Sequence, residues 1–140
     1  MKLKTGTFRA MLKDEKGQNL IEFALVLPLL LILVFGIAEF GRAWMAKNIL
    51  TGAAREAVRT VVVKPYNETT ARNRGLAILA SAKLTGADVT FDPPITEADG
   101  TTVTRRAIAS YEFPLVLVGF IPGLNTATIS LSSTTTMRQE

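Results

Sequence analysis

The chain has 140 residues, no cysteine, no histidine and a net charge of +4. The missing cysteines exclude disulfide frameworks and thiolate metal sites, and the missing histidines exclude a Ser-His-Asp triad and the commonest transition-metal ligand. Residues 1–17 hold five basic and two acidic groups (+3), leaving eleven basic and ten acidic for the rest (+1); no basic stripe with interleaved aromatics follows, which argues against nucleic acid as a partner.

Residues 1–17 (MKLKTGTFRAMLKDEKG) form a polar, basic leader. Leu20 to Phe40 then gives 21 residues, of which the 16 from Phe23 to Ala38 carry no charge. As a helix at ~1.5 Å per residue this run spans about 31 Å, close to the hydrocarbon thickness of a bilayer, and it has no polar face. The basic excess on its N-terminal side places the leader in the cytoplasm and the remainder across the membrane. Pro28 removes a backbone hydrogen bond and predicts a kink or a loosened segment; a proline simply tolerated in a membrane helix is the plainer reading. Glu39 and Arg42 are spaced to pair at the outer membrane surface, and Trp44 suits the interfacial belt.

Ala46, Leu50, Ala53, Ala54, Ala57, Val58 and Val61 recur at helical spacing, opposite Thr51, Arg55, Glu56 and Arg59. The pattern predicts one helix from about Leu20 to Val63, stopped by Lys64-Pro65 because the residue before proline avoids helical angles. A second helix is expected over Glu68–Lys83, with Leu76, Ile78 and Leu79 as its apolar stripe and Gly86 just beyond. The period then falls to two. Ala87, Val89 and Phe91 alternate with polar residues, as do Val103, Ala107, Ala109, Tyr111 and Phe113, and then Ala127, Ile129, Leu131 and Met137. Glu97-Ala98-Asp99-Gly100 is a turn signal between the first two strands. The expected fold is α+β: a long N-terminal helix, membrane-spanning in its first half and amphipathic in its second, packed on a small antiparallel sheet. The boundaries follow as a leader at 1–17, a transmembrane helix at 18–41 and an extracytoplasmic domain at 42–140.

Phe113–Leu124 is unusually apolar for a connection between strands, either as core packing or as a surface for the membrane or another component. Asn67-Glu68-Thr69 is a formal glycosylation sequon that reads as chance. The scattered Asp88, Asp92, Asp99 and Ser110 are the only candidates for a membrane-bound enzyme. With no histidine, cysteine, phosphate-cradling loop or ligand cluster beside them, no catalytic residue, cofactor, metal or small-molecule substrate is expected.

The chemistry concentrates at Lys16-Gly17-Gln18-Asn19-Leu20-Ile21-Glu22-Phe23. A carboxylate in a membrane helix costs about 2.5–3.5 kcal/mol at the bilayer centre and less near the interface, so Glu22 calls for a partner. A cut after Gly17 creates an α-amino group on Gln18, one helical turn from Glu22. The alternative is an interfacial Glu22 that reaches the headgroups and does nothing further.

A basic leader ending in glycine, a glutamate five residues on and an apolar helix together resemble type IV prepilins. Gly17, Glu22-Phe23-Ala24-Leu25-Val26-Leu27-Pro28 and Gly36-Ile37-Ala38-Glu39-Phe40-Gly41-Arg42 resemble more closely the TadE-like family, minor pilins or pseudopilins of tight-adherence (Flp) pili. The resemblance implies a pilin-like fold and cleavage between Gly17 and Gln18 by a prepilin peptidase at the bacterial inner membrane. It further implies that Glu22 pairs with a terminal amine during assembly, with other pilins or pseudopilins and the pilus assembly platform as partners and adhesion as the outcome. Gln18 stands where type IV pilins usually carry phenylalanine or methionine, which leaves N-methylation open. A different class of reading is a secreted or anchored periplasmic binding or structural domain with an ordinary signal sequence, for which Gly36-Ile37-Ala38 offers a small-x-small site. The length of the apolar run and the position of Glu22 weigh against it.

Overall fold

The computed structural model describes residues 15–116 and 127–139. Helix α1 runs from Glu15 to Val62, 48 residues, and continues unbroken through Pro28. It already includes Glu15 to Asn19, five residues ahead of the apolar run. The chain falls into two compact units, one up to Ala38 and one from Glu39 onward.

In the first unit the helix exposes its large apolar residues on every side, among them Leu20, Phe23, Leu25, Leu29 and Leu33. It is the one stretch among the described residues long and apolar enough to cross a membrane. In water each of these side chains forfeits its transfer free energy, so the surface is compatible with a hydrocarbon surrounding.

In the second unit the same helix turns amphipathic. Ala46, Leu50, Ala53, Ala54, Ala57, Val58, Val61 and Val62 are buried and form the core with Ala71, Leu79, Val89, Ala107 and Ala109. Helix α2, Glu68–Ser81, starts at Asn67, whose side chain accepts a hydrogen bond from the Thr70 amide at 3.0 Å. It stops two residues short of the expected Lys83, because Leu84 N bonds Leu79 O and Lys83 N bonds Ala80 O, both at 3.0 Å, a closing pair that ends the helix with Lys83 in the left-handed region. The residues α2 buries are Ala71, Gly75 and Leu79, while Leu76 and Ile78 lie at the margin. Small residues are needed because α2 approaches α1 closely. A Cβ on Gly75 would lie 3.0 Å from Val89 Cγ2 and 3.3 Å from both Ala53 O and Ala57 Cβ. Gly75→Val is therefore expected to destabilise the domain by about 1–3 kcal/mol, read as a lowered urea midpoint of the detergent-solubilised chain; an unchanged midpoint would show that the two helices can part without cost.

The sheet has four strands: β1 Asp88–Phe91, β2 Ile95–Thr96, β3 Val103–Pro114 and β4 Thr128–Arg138. β3 is central, pairing antiparallel with β1 and β2 along one edge and with all of β4 along the other. The short β2 is an addition to the three strands expected, formed where the chain returns through the turn held by Asp99. The inward face of β3 carries Ala107, Ala109 and Phe113 as expected, and also Arg105, whose guanidinium meets Glu68 at 2.5 Å. On β4 the inward Ser133 is buried because its hydroxyl bonds that of Thr51 on α1 at 2.8 Å. Ile129, expected inside, is exposed; it lies opposite Phe113, near the end of the paired region. Most of the apolar Phe113–Leu124 connection lies outside the described residues.

Candidate functional site

Gly17, Gln18 and Glu22 all lie in the first turns of α1. The Gly17–Gln18 peptide bond is thus helical rather than in a loop before the helix. Glu22 is exposed, and among the described residues no side chain or amide pairs with it. Its neighbours on the helix surface, three and four residues away, are Gln18 and Asn19 towards the N-terminus and Leu25 and Val26 on the other side. The carboxylate therefore stands at the border between a polar turn and an uncharged helical surface. In a chain beginning at Gln18 it would also face the unpaired amides and positive dipole end of the helix as well as the new ammonium.

A second constellation sits at the start of the unit that begins at Glu39. Arg42 donates to Glu39 Oε1 at 2.7 Å, and the same oxygen accepts the Val116 amide at 3.3 Å. The Arg42 guanidinium lies 5.0 Å from the centre of the Phe113 ring, a cation–π contact that ties α1 to the end of β3. Phe40 and Trp44 stack at 6.2 Å between ring centres, and both are exposed, as is Met45. The sequence spacing foretells the Glu39–Arg42 pair. The contacts to Phe113 and Val116 are tertiary and leave no local signal beyond the apolar end of the third predicted strand.

Of the four candidate enzyme residues, the β1–β3 register brings Asp88 and Ser110 opposite each other. Asp88 pairs with Arg72 at 2.6 Å, Asp92 with Arg106 at 3.2 Å, and Asp99 accepts the Thr101 and Thr102 amides and the Thr102 hydroxyl. Ser110 is a ladder position between Asp88 and Ser132. Hydrogen bonding from Arg72 holds the Asp88 carboxyl below its ordinary range, and Arg59, supported by Arg74, does the same for Glu56. These are structural roles: Arg72 also donates to Val89 O at 3.0 Å, which closes the outer edge of β1. No group of three or more acids that could hold a metal ion occurs among the described residues.

Residues 17–59 match the family described as TadE-like protein, a span that holds Gly17, Glu22, Pro28, the Glu39–Arg42 pair and the buried face of α1 as far as Val58. No curated protein and no solved structure matches the chain.

Proposed function

We propose that this protein is a minor pilin or pseudopilin of a tight-adherence pilus, made as an inner-membrane precursor and freed of its leader by a prepilin peptidase cutting between Gly17 and Gln18. The family match over residues 17–59 supports a place in pilus systems of this type, and the exposed apolar helix suits a membrane anchor. The observation that carries the finer reading is Glu22, a carboxylate without a partner among the described residues, at the head of an uncharged helical run and five residues past a glycine. In this reading the leader is cytoplasmic, 18–41 spans the bilayer and the domain from residue 42 is extracytoplasmic. Glu22 pairs with the terminal ammonium of its own or a neighbouring subunit. Glu39, Arg42 and Trp44 seat the domain at the interface, and Pro28 softens the segment that must leave the bilayer for a filament. The subunit works by assembly, with other pilins and the assembly platform as partners, and carries out no catalysis of its own.

A second reading, a domain released by signal peptidase after Ala38, has one observation in its favour: a compact unit begins at Glu39. N-terminal sequencing of processed protein from pilus-bearing cells separates the two. The expected start is Gln18. A start at Glu39 establishes the second reading, and intact Met1 on functional protein refutes the first.

A further inference from the structure

Where α1 enters the domain, a groove of about 220 Å³ opens between α1, the turn after α2 and the end of β3. Its walls are apolar: Met45 and Ile49 on α1, Leu84 after α2, and Tyr111 and Phe113 on β3. Arg42 and Lys83 also line it, and no acid does. Arg42 rests on the Phe113 ring and uses one amino group on Glu39, leaving other donors of its five-donor fork available. Among the described residues Lys83 has no acidic partner. Outside the groove Phe40, Trp44 and Val116 present exposed apolar surface at this same end of the domain.

Lys83 supplies an independent observation. It occupies the left-handed position that closes α2, with φ 59°, where glycine is the residue without strain. A lysine there is less favourable for the turn than glycine, and it puts a cationic side chain on the groove wall.

We propose that this groove binds one anionic phospholipid of the surrounding bilayer, with its phosphate between Arg42 and Lys83 and its acyl chain along Met45, Ile49 and Leu84. Charge selects the lipid class. A zwitterionic headgroup brings its own cation to a wall that already holds two, and the nearby Glu39 is occupied by Arg42 and the Val116 amide. This inference rests on the reading of Leu20–Phe40 as a membrane span.

Trp44 is the only tryptophan and a built-in reporter. The full chain is placed in nanodiscs containing bromine-labelled phosphatidylglycerol or, at equal mole fraction, bromine-labelled phosphatidylcholine, and Trp44 quenching is compared. The expected result is about fivefold enrichment of the anionic lipid at Trp44, the size of one cation–headgroup contact. Lys83→Gly should abolish that excess while leaving the unfolding temperature unchanged or higher. Lys64→Gln, which removes a charge near the other end of the domain helix, should leave the excess intact. Equal quenching by the two lipids in an inserted protein overturns the lipid site alone, as does an excess that survives Lys83→Gly or vanishes equally in Lys64→Gln. A chain that never enters the discs and is quenched by neither lipid overturns both the site and the membrane reading.

Discussion

Cells carrying Glu22→Val in place of the native chain are expected to process the leader normally, keep the protein in the membrane and lose it from the pili by at least ~30-fold, the effect of truncating one member of a charge pair that functions out of water. Removing the acid makes membrane insertion easier by up to about 2.5–3.5 kcal/mol, less for a residue near the interface. The variant thus gains stability as a membrane helix while it loses its function. That opposition of signs is what identifies an assembly charge. A residue that merely reaches the headgroups would lose nothing on becoming valine. Glu22→Gln tests the charge separately from the hydrogen bond. The amide retains an acceptor but not the attraction to an ammonium, so it should fail nearly as badly as valine. The measurement is immunoblotting of sheared pili against membrane fractions, with leader removal followed in the same samples. Full recovery of the Val variant in pili removes Glu22 from the mechanism.

Why Glu22 is visible in the sequence while Arg105 is not comes down to the distance between partners. A carboxylate among apolar residues is anomalous within its own helical turn, and so is the glycine five residues before it. The buried face of α1 is equally local: Ala46, Leu50, Ala53, Ala54, Ala57, Val58 and Val61 follow the 3.6-residue period, and all are buried. Arg105 occupies an inward position of β3 only because Glu68, on a different element, meets its guanidinium. Ser133 is inside only because Thr51 offers a hydroxyl. Period two puts both on the inward face, Arg105 beside Ala107 and Ser133 beside Leu131, but their polarity gives no local reason to expect burial there. The same blindness affects part of α2: of the expected stripe Leu76, Ile78 and Leu79, Leu79 is buried while the other two lie at the margin. The close approach to Ala53, Ala57 and Val89 instead selects the small face of Ala71 and Gly75. At the second constellation the Glu39–Arg42 pair is legible for its spacing, whereas its attachment to Phe113 and Val116 depends on how the end of β3 meets α1.

Gly17→Trp is expected to reduce leader removal by ~100-fold, because a bulky side chain at the cleavage point displaces the scissile carbonyl from any position suited to attack. The structure gives glycine a further reason to be there. α1 begins at Glu15, so the bond to be cut is part of a helix, its carbonyl directed along the axis. A peptidase must unwind that turn to reach the carbonyl. Glycine lowers the cost, being about 0.8–1.0 kcal/mol less favourable than alanine in a helix, and it lets an enzyme approach the backbone without meeting a Cβ. Gly17→Ala separates the two contributions: it restores helix propensity with little bulk, so its processing should be slowed but still measurable. Tryptophan adds the steric block. In the proposed arrangement the uncut precursor keeps residues 1–17, with their net +3, and has no free amine at Gln18. Glu22 then lacks its cation although its own side chain is intact, and the Gly17→Trp precursor should be missing from pili as thoroughly as Glu22→Val. Two lesions at different residues, one preventing an ammonium from forming and the other removing its counterion, converge on one defect only if the pair is what admits a subunit. Assembly of uncut precursor at normal levels would break that equivalence. A mature mass unchanged by tryptophan at position 17 would move the cut to another bond.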